Sequence, residues 1–198
     1  MTSELHLPNK PKQDRSLKRF NNALLTANSI LISQGIRAVT IQEVSKKSGE
    51  RRSSLYKFFP SNLAILSALG ELHAERIISI FKKNSSAPIY ETGADYFYLL
   101  IDLLSIYLNQ NKSASILIFK LRESALYDPS LQHSDNIITL NINSLIGNKL
   151  EVNEQENITV IYQIILSVLS GGFRNEGLIS PRVIVKAKKA ASSYMAVC

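Results

Sequence analysis

The 198-residue sequence predicts an all-α protein, in which an N-terminal three-helix unit is joined to a larger helical body. Three observations predict it. Apolar residues recur at spacings of three and four from Ser16 onward, the period of a helix with one buried face. No stretch of 60–198 alternates for long at period two, although the isoleucine content leaves a strand open in the weaker stretches. The strongest breakers, Gly35, Gly49, Pro60, Pro129 and Pro181, fall between the periodic stretches.

Residues 1–15 carry Pro8 and Pro11, which oppose helix, and have little to bury, so they read as a flexible basic arm. From Ser16, the stripe Leu17, Phe20, Leu24, Ala27 and Leu31 gives an amphipathic helix of about four turns. Gly35 stops it. Thr40-Ile41-Gln42-Glu43 fits a capping box, with Thr40 as N-cap and Glu43 at the third helical position. Ile41 and Val44 face inward, Lys46 and Lys47 suit the negative pole of that helix, and Gly49 breaks it. A short third helix follows from about Arg51 to Phe59, with Leu55, Phe58 and Phe59 as apolar contacts. Pro60 disfavours helix at the residue before it, so a new element starts at Pro60 or Ser61. That long helix runs through Leu63, Leu66, Leu69, Leu72 and Ile77 and fades at 82–86.

The rest continues in the same pattern. Residues 91–109 carry Phe97, Leu100, Ile101, Leu104 and Leu108, and 113–127 carry Ile116, Leu117, Phe119 and Leu121. Residues 131–148 are poor in charge and rich in Asn, and 154–173 carry Ile158, Ile161, Ile165, Val168 and Leu169. Gly171, Gly172 and Gly177 are expected to loosen the backbone before a last helix from Pro181 to about Tyr194. The organisation expected is an arm at 1–15, a helix-turn-helix unit at 16–61 and a helical body at 62–198.

Charge singles out the first segment. The net charge is +7, and residues 1–59 carry all of it, with eleven basic residues against four acidic ones. The other 139 residues hold twelve of each. A polyanion or an anionic membrane surface is the natural partner of such a segment. The longest apolar runs fall far short of the roughly 20 residues that span a bilayer, and Pro8, Lys10, Pro11 and Lys12 interrupt any signal-peptide core. A cytoplasmic protein is therefore expected. The single cysteine, Cys198, allows no internal disulfide, and His6, His73 and His133 are too scattered for a zinc site.

The chemistry lies at 40–59, a helix, a tight turn at Gly49 and a second short helix. That second helix begins Arg51-Arg52-Ser53-Ser54 and continues to Tyr56-Lys57. Arginine reads guanine edges with two hydrogen bonds, serine contacts phosphate or base edges, and tyrosine and lysine pin the backbone. A solvated basic face is the plainer reading of Arg51 and Arg52, but helix-turn-helix spacing favours a major groove. Thr40 and the first amides of its helix form a phosphate site as well as a cap. Tyr56 is either a packed core aromatic or, as favoured here, a phosphate anchor, and Phe58 reads as core. Lys10, Lys12, Arg15, Lys18 and Arg19 reach flanking phosphates or the minor groove, or else form a solvated tail.

Residues 35–44, Gly-Ile-Arg-Ala-Val-Thr-Ile-Gln-Glu-Val, and 49–62, Gly-Glu-Arg-Arg-Ser-Ser-Leu-Tyr-Lys-Phe-Phe-Pro-Ser-Asn, resemble the N-terminal domain of TetR-type transcriptional regulators. The Leu-Tyr-x-x-Phe block before Pro-Ser is the most specific part, and the resemblance covers about residues 16–65. It implies a bacterial DNA-binding regulator that works as a homodimer on a palindromic operator, most simply as a repressor released by a small molecule. It implies phosphate contacts from Thr40 and Tyr56, groove contacts from Arg51, Arg52, Ser53, Ser54 and Lys57, and core roles for Val44, Leu55 and Phe59. Two positions depart from the family pattern. Glu50 stands where a small apolar residue is usual, and it either repels phosphate or pairs with Arg51, Arg52 or Lys47. Asn62 stands where a lysine is common, and it can still hydrogen-bond phosphate but brings no charge.

In the body, Phe97, Tyr98, Tyr107, Phe119, Tyr127 and Tyr162 are the candidate contacts of a mostly apolar effector, with Tyr90 and Phe173 beside them. Aromatics at helical spacing are more often core. Asp102, Arg122 and His133 are possible polar anchors, and His73 reads as a surface or hinge residue. The helices at 154–173 and 181–194 are the expected dimer interface. No Ser-His-Asp set, Gly-rich phosphate loop or paired-carboxylate site stands out, so no enzyme, cofactor or metal is expected. The alternatives are an activator or ligand-independent regulator of the same fold and, less favoured, a basic membrane-surface or scaffold protein.

Overall fold

A computed structural model describes residues 7–86, 92–121 and 157–196. All their regular structure is helical: α1 Asp14–Gln34, α2 Ile41–Ser48, α3 Arg52–Phe58, α4 Asn62–Asn84, α5 Gly93–Gln110, α6 Lys112–Ser115, α7 Ile158–Glu176 and α8 Pro181–Met195. A short 3₁₀ turn, Ile36–Ala38, joins α1 to α2, and α6 runs on into a π-helical stretch, Ile116–Leu121. The described residues fall into two compact units, one of residues 7–73 and 112–121, the other of 74–86, 92–111 and 157–196. The expected helix at 131–148, the end of that at 113–127, and Tyr90, Arg122, Tyr127, His133 and Cys198 lie outside the described residues.

In the first unit α1, α2 and α3 close around one apolar core. Phe20, Ala23, Leu24, Ala27, Ile30 and Leu31 form the buried stripe of α1, while Leu17, expected inside, is 41% exposed on its first turn. Ile41 and Val44 come from α2, Leu55 and Phe58 from α3, and Phe59 from the residue after it. Phe20 stacks on Phe59 with ring centres 4.8 Å apart and meets Phe58 edge-on at 5.8 Å. Burying a side chain of this size contributes about 1.5–3 kcal/mol, so three rings in contact anchor a unit whose helices are short.

The capping box at α2 is half made. The Thr40 hydroxyl accepts the Glu43 amide at 3.1 Å, as expected. The return bond is absent, because the Thr40 amide bonds the Ala38 carbonyl at 3.0 Å and the Glu43 carboxylate turns to Lys47 at 3.4 Å. The 3₁₀ turn brings the Ala38 carbonyl within reach, which the sequence pattern did not reveal. A full capping box occurs instead at α5, where Thr92 and Asp95 satisfy each other's amides.

On α4 the buried surface is broader than a stripe, since residues 64–71 are all buried. Four of them are small: Ala64, Ser67, Ala68 and Gly70. Glu71 is buried and paired with Lys10 at 2.9 Å, whereas Leu72, expected inward, is 46% exposed.

In the second unit α5 and α8 run antiparallel, held by matched polar pairs. The Tyr98 hydroxyl bonds Ser192, Lys188 bonds Asp102 at 2.6 Å, and Asn109 exchanges two hydrogen bonds with the Ile179 backbone at 2.8 and 2.9 Å. Helix α7 packs against α8. It passes straight through Gly171 and Gly172 and ends at Gly177, so the expected loosening at the glycine pair does not occur. A Cβ on Gly172 would collide with the Val183 side chain. Glycine there allows the two helices to approach closely.

Candidate nucleic-acid interface

The turn between α2 and α3 sets how α3 is presented. Gly49 adopts the left-handed conformation (φ 74°), which costs a residue with a Cβ roughly 1–2 kcal/mol, and its amide closes α2 on the Ser45 carbonyl. Two serines then fix Glu50: its amide donates to the Ser48 hydroxyl at 3.2 Å, and its carbonyl accepts the Ser45 hydroxyl at 2.6 Å. Arg51, extended, is the N-cap of α3.

Helix α3 divides cleanly. Leu55 and Phe58 point into the core, while Arg51, Arg52, Ser53, Tyr56 and Lys57 are exposed and Ser54 is half-buried. Tyr56 has 54% of its surface open, an unusual position for an aromatic ring that has a core beside it. Arg51 and Arg52 make no ion pair with any described residue, so both guanidiniums keep their hydrogen-bond donors for a partner. The far end of α3 is pinned by the arm, where the Asn9 amide bonds the Phe58 carbonyl at 2.7 Å and its side chain bonds the Lys57 carbonyl at 3.2 Å. With the Lys10–Glu71 pair, these contacts tie residues 9 and 10 of the basic arm to the folded unit.

Thr40 and Asn62 meet at the start of α2. The Asn62 side-chain oxygen accepts the Ile41 amide at 2.9 Å, and the Thr40 hydroxyl takes the Glu43 amide. Among the first amides of α2, Gln42 finds no acceptor in the described residues. Thr40 and Asn62 thus stand together with a helix N-terminus, a place suited to a phosphate oxygen.

Glu50 pairs with none of the three cations expected. Its carboxylate takes the Arg19 side chain of α1 at 2.7 Å, and the Asn22 amide group lies 3.4 Å from its other oxygen. Asn22 also bonds the Ser48 carbonyl at 3.3 Å. Asn22, Ser45, Ser48 and Asn9 are the residues that sequence reasoning missed here, and Arg19, read there as a phosphate contact or part of a solvated tail, takes the Glu50 carboxylate. Each partner lies from 2 to 49 residues away, and no local pattern marks the longer pairs.

The aromatic candidates of the body divide between the units. Phe97, Tyr107 and Tyr162 are buried in the second, and Phe119 is buried in the first. Burial holds the Tyr107 hydroxyl above its ordinary pKa, against an opposing pull from Arg76. Tyr98 serves the α5–α8 clamp, its ring 5.7 Å below the Lys188 ammonium, and Asp102 belongs to the same clamp. His73 is half-buried with Nε2 3.0 Å from the Ser113 hydroxyl. Among the described residues, no helix is long and apolar enough to cross a membrane.

No protein-family model and no curated relative matches the chain. Solved structures do. A protein from Syntrophomonas wolfei assigned to the TetR family of transcriptional regulators is 15% identical, with a TM-score of 0.67 over 94% of this chain and 97% of that one. A TetR transcription regulator from Haloarcula marismortui is 16% identical, with a TM-score of 0.62 over 89% and 96%. The fatty acid degradation regulator FadR from Bacillus halodurans is 13% identical, with a TM-score of 0.63 over 92% and 95%. The chain has the fold of these regulators, with an N-terminal helix-turn-helix and a helical body.

Proposed function

We propose that this chain, built on the fold of the TetR regulators, is a sequence-specific DNA-binding transcriptional regulator. One observation carries the assignment. Behind a left-handed glycine turn stands a short helix with Leu55 and Phe58 buried and Arg51, Arg52, Ser53, Tyr56 and Lys57 exposed. An α-helix fits the major groove, and this one offers two unpaired guanidiniums at its leading end. Ser54 borders that face, and Thr40, Tyr56 and Asn62 hold flanking phosphates. The test is selection of duplexes from a random pool by the full chain. A recovered palindrome supports the assignment, and enrichment of no sequence counts against it.

The regulator acts as a homodimer through α7 and α8. Val160 and Val185 are exposed, and Ile164 and Val168 are half-buried, one turn apart on α7. A two-fold pair of such faces sets the half-site spacing. Its most economical role is repression relieved by a mostly apolar small molecule that prefers one arrangement of the subunits. The buried aromatics Phe97, Tyr107 and Tyr162 and the scarcity of charge on α5 and α7 support that effector class. So does the presence of a regulator of fatty acid degradation among the similar structures.

A further inference from the structure

Glu50 stands directly before Arg51, the N-cap of α3, and it carries four separate attachments. Its side chain takes Arg19 at 2.7 Å and Asn22 at 3.4 Å, its carbonyl takes Ser45 at 2.6 Å, and its amide reaches Ser48 at 3.2 Å. The side chain is 16% exposed and that of Arg19 35%. The pair is therefore partly withdrawn from water, where opposite charges attract more strongly than on an open surface. Arg19 keeps company with no other anion among the described residues.

Two consequences follow from this geometry. The pair ties the start of α3 to α1, 31 residues back along the chain. It also neutralises a cation that would otherwise be open to any phosphate. A cation that binds phosphate adds affinity for every duplex alike and nothing for sequence.

We propose that Glu50 is a specificity-determining positioning residue: by holding Arg19 it aims α3 and withdraws one cation from non-specific attraction to DNA. The proposal rests on the duplex-binding assignment above and deepens it. Glu50 itself touches no base. It acts through Arg19 and through the turn.

The test is the salt dependence of binding to a mixed-sequence duplex, read by fluorescence anisotropy beside binding to the selected palindrome. Glu50→Gln keeps the side chain's size and removes its charge, which frees Arg19. The slope of log K against log salt should steepen by about 0.9, one added phosphate contact. The ratio of palindrome to mixed-sequence affinity should also fall several-fold, because α3 loses the tie to α1 that aims it at the palindrome. The double variant Arg19→Gln/Glu50→Gln should keep the wild-type slope, since the pair contributes no net charge to the complex. A double variant whose slope is shallower by about 0.9 would show that Arg19 already holds phosphate in the wild type, and would overturn the proposal. An unchanged slope and unchanged ratio for Glu50→Gln would overturn it equally. Thermal unfolding of each variant separates a purely structural role, which lowers stability without moving the slope. If the glutamine pair does not fold, Arg19→Met/Glu50→Met fills the same volume with apolar atoms and must give the same wild-type slope. Wild-type protein that binds no duplex at low salt refutes the duplex-binding assignment itself, a result distinct from all of these.

Discussion

The side-chain oxygen of Asn62, the first residue of α4, accepts the amide of Ile41, the first residue of α2, at 2.9 Å. A residue proposed to hold phosphate is thus also a structural cap. Its two roles separate by substitution. Asn62→Ala leaves the Ile41 amide without its partner and should cost about 0.5–1.5 kcal/mol in urea unfolding. Asn62→Asp keeps the acceptor and puts negative charge at the helix N-terminus, which favours stability by about 0.3–1 kcal/mol. The same charge repels phosphate, so the aspartate variant should bind duplex DNA more weakly while unfolding at a higher urea concentration.

Phe59 is fully buried and stacks on Phe20. Phe59→Ala should destabilise the protein by about 3–5 kcal/mol, measured by chemical denaturation. A cost below about 1 kcal/mol would mean that the three-ring cluster does not anchor this unit.

Gly49 and Gly172 are needed for different reasons. A Cβ on Gly49 meets nothing within 4 Å, so its requirement lies in the backbone angle alone. A Cβ on Gly172 collides with Val183. Gly172→Ala should therefore lower the melting temperature, and adding Val183→Ala should restore part of the loss. A combined loss equal to the two single losses added together would contradict the close approach of α7 and α8.

The residues that carry local signals were legible in the sequence. Thr40, Gly49 and Pro60 bound α2 and α3 because capping, left-handed turns and proline are decided within a few residues. Pro181 marked the start of α8 for the same reason. What escaped depends on distance along the chain. Glu50 finds Arg19 across 31 residues and Tyr98 finds Ser192 across 94, and neither spacing leaves a pattern. Leu72, expected inward, is exposed while its neighbour Glu71 is buried, for a further reason. Helix α4 is buried through 64–71 on all sides, so a single apolar stripe no longer describes it. Of the interface, the exposed cations of α3 were readable, but the contacts that aim them were not.

The proposed dimer predicts the behaviour of one exposed valine. Val160 is 38% exposed on α7, so Val160→Asp should leave the monomer folded. Buried against a second copy, the carboxylate would be costly to desolvate. Sedimentation should give particles of 22.1 kDa for the variant and twice that mass for the wild type. A variant that stays dimeric places the interface elsewhere.

The proposed function requires that α3 read DNA with its leading arginines. The most direct measurement is the affinity of Arg51→Ala/Arg52→Ala for the duplex selected by the wild type, at fixed salt. Each bidentate arginine–guanine contact is worth about 1–3 kcal/mol, so the double variant should bind at least about tenfold more weakly with its helical content and melting temperature unchanged. A folded double variant that binds the selected duplex as tightly as the wild type would mean that α3 does not read the groove through these arginines.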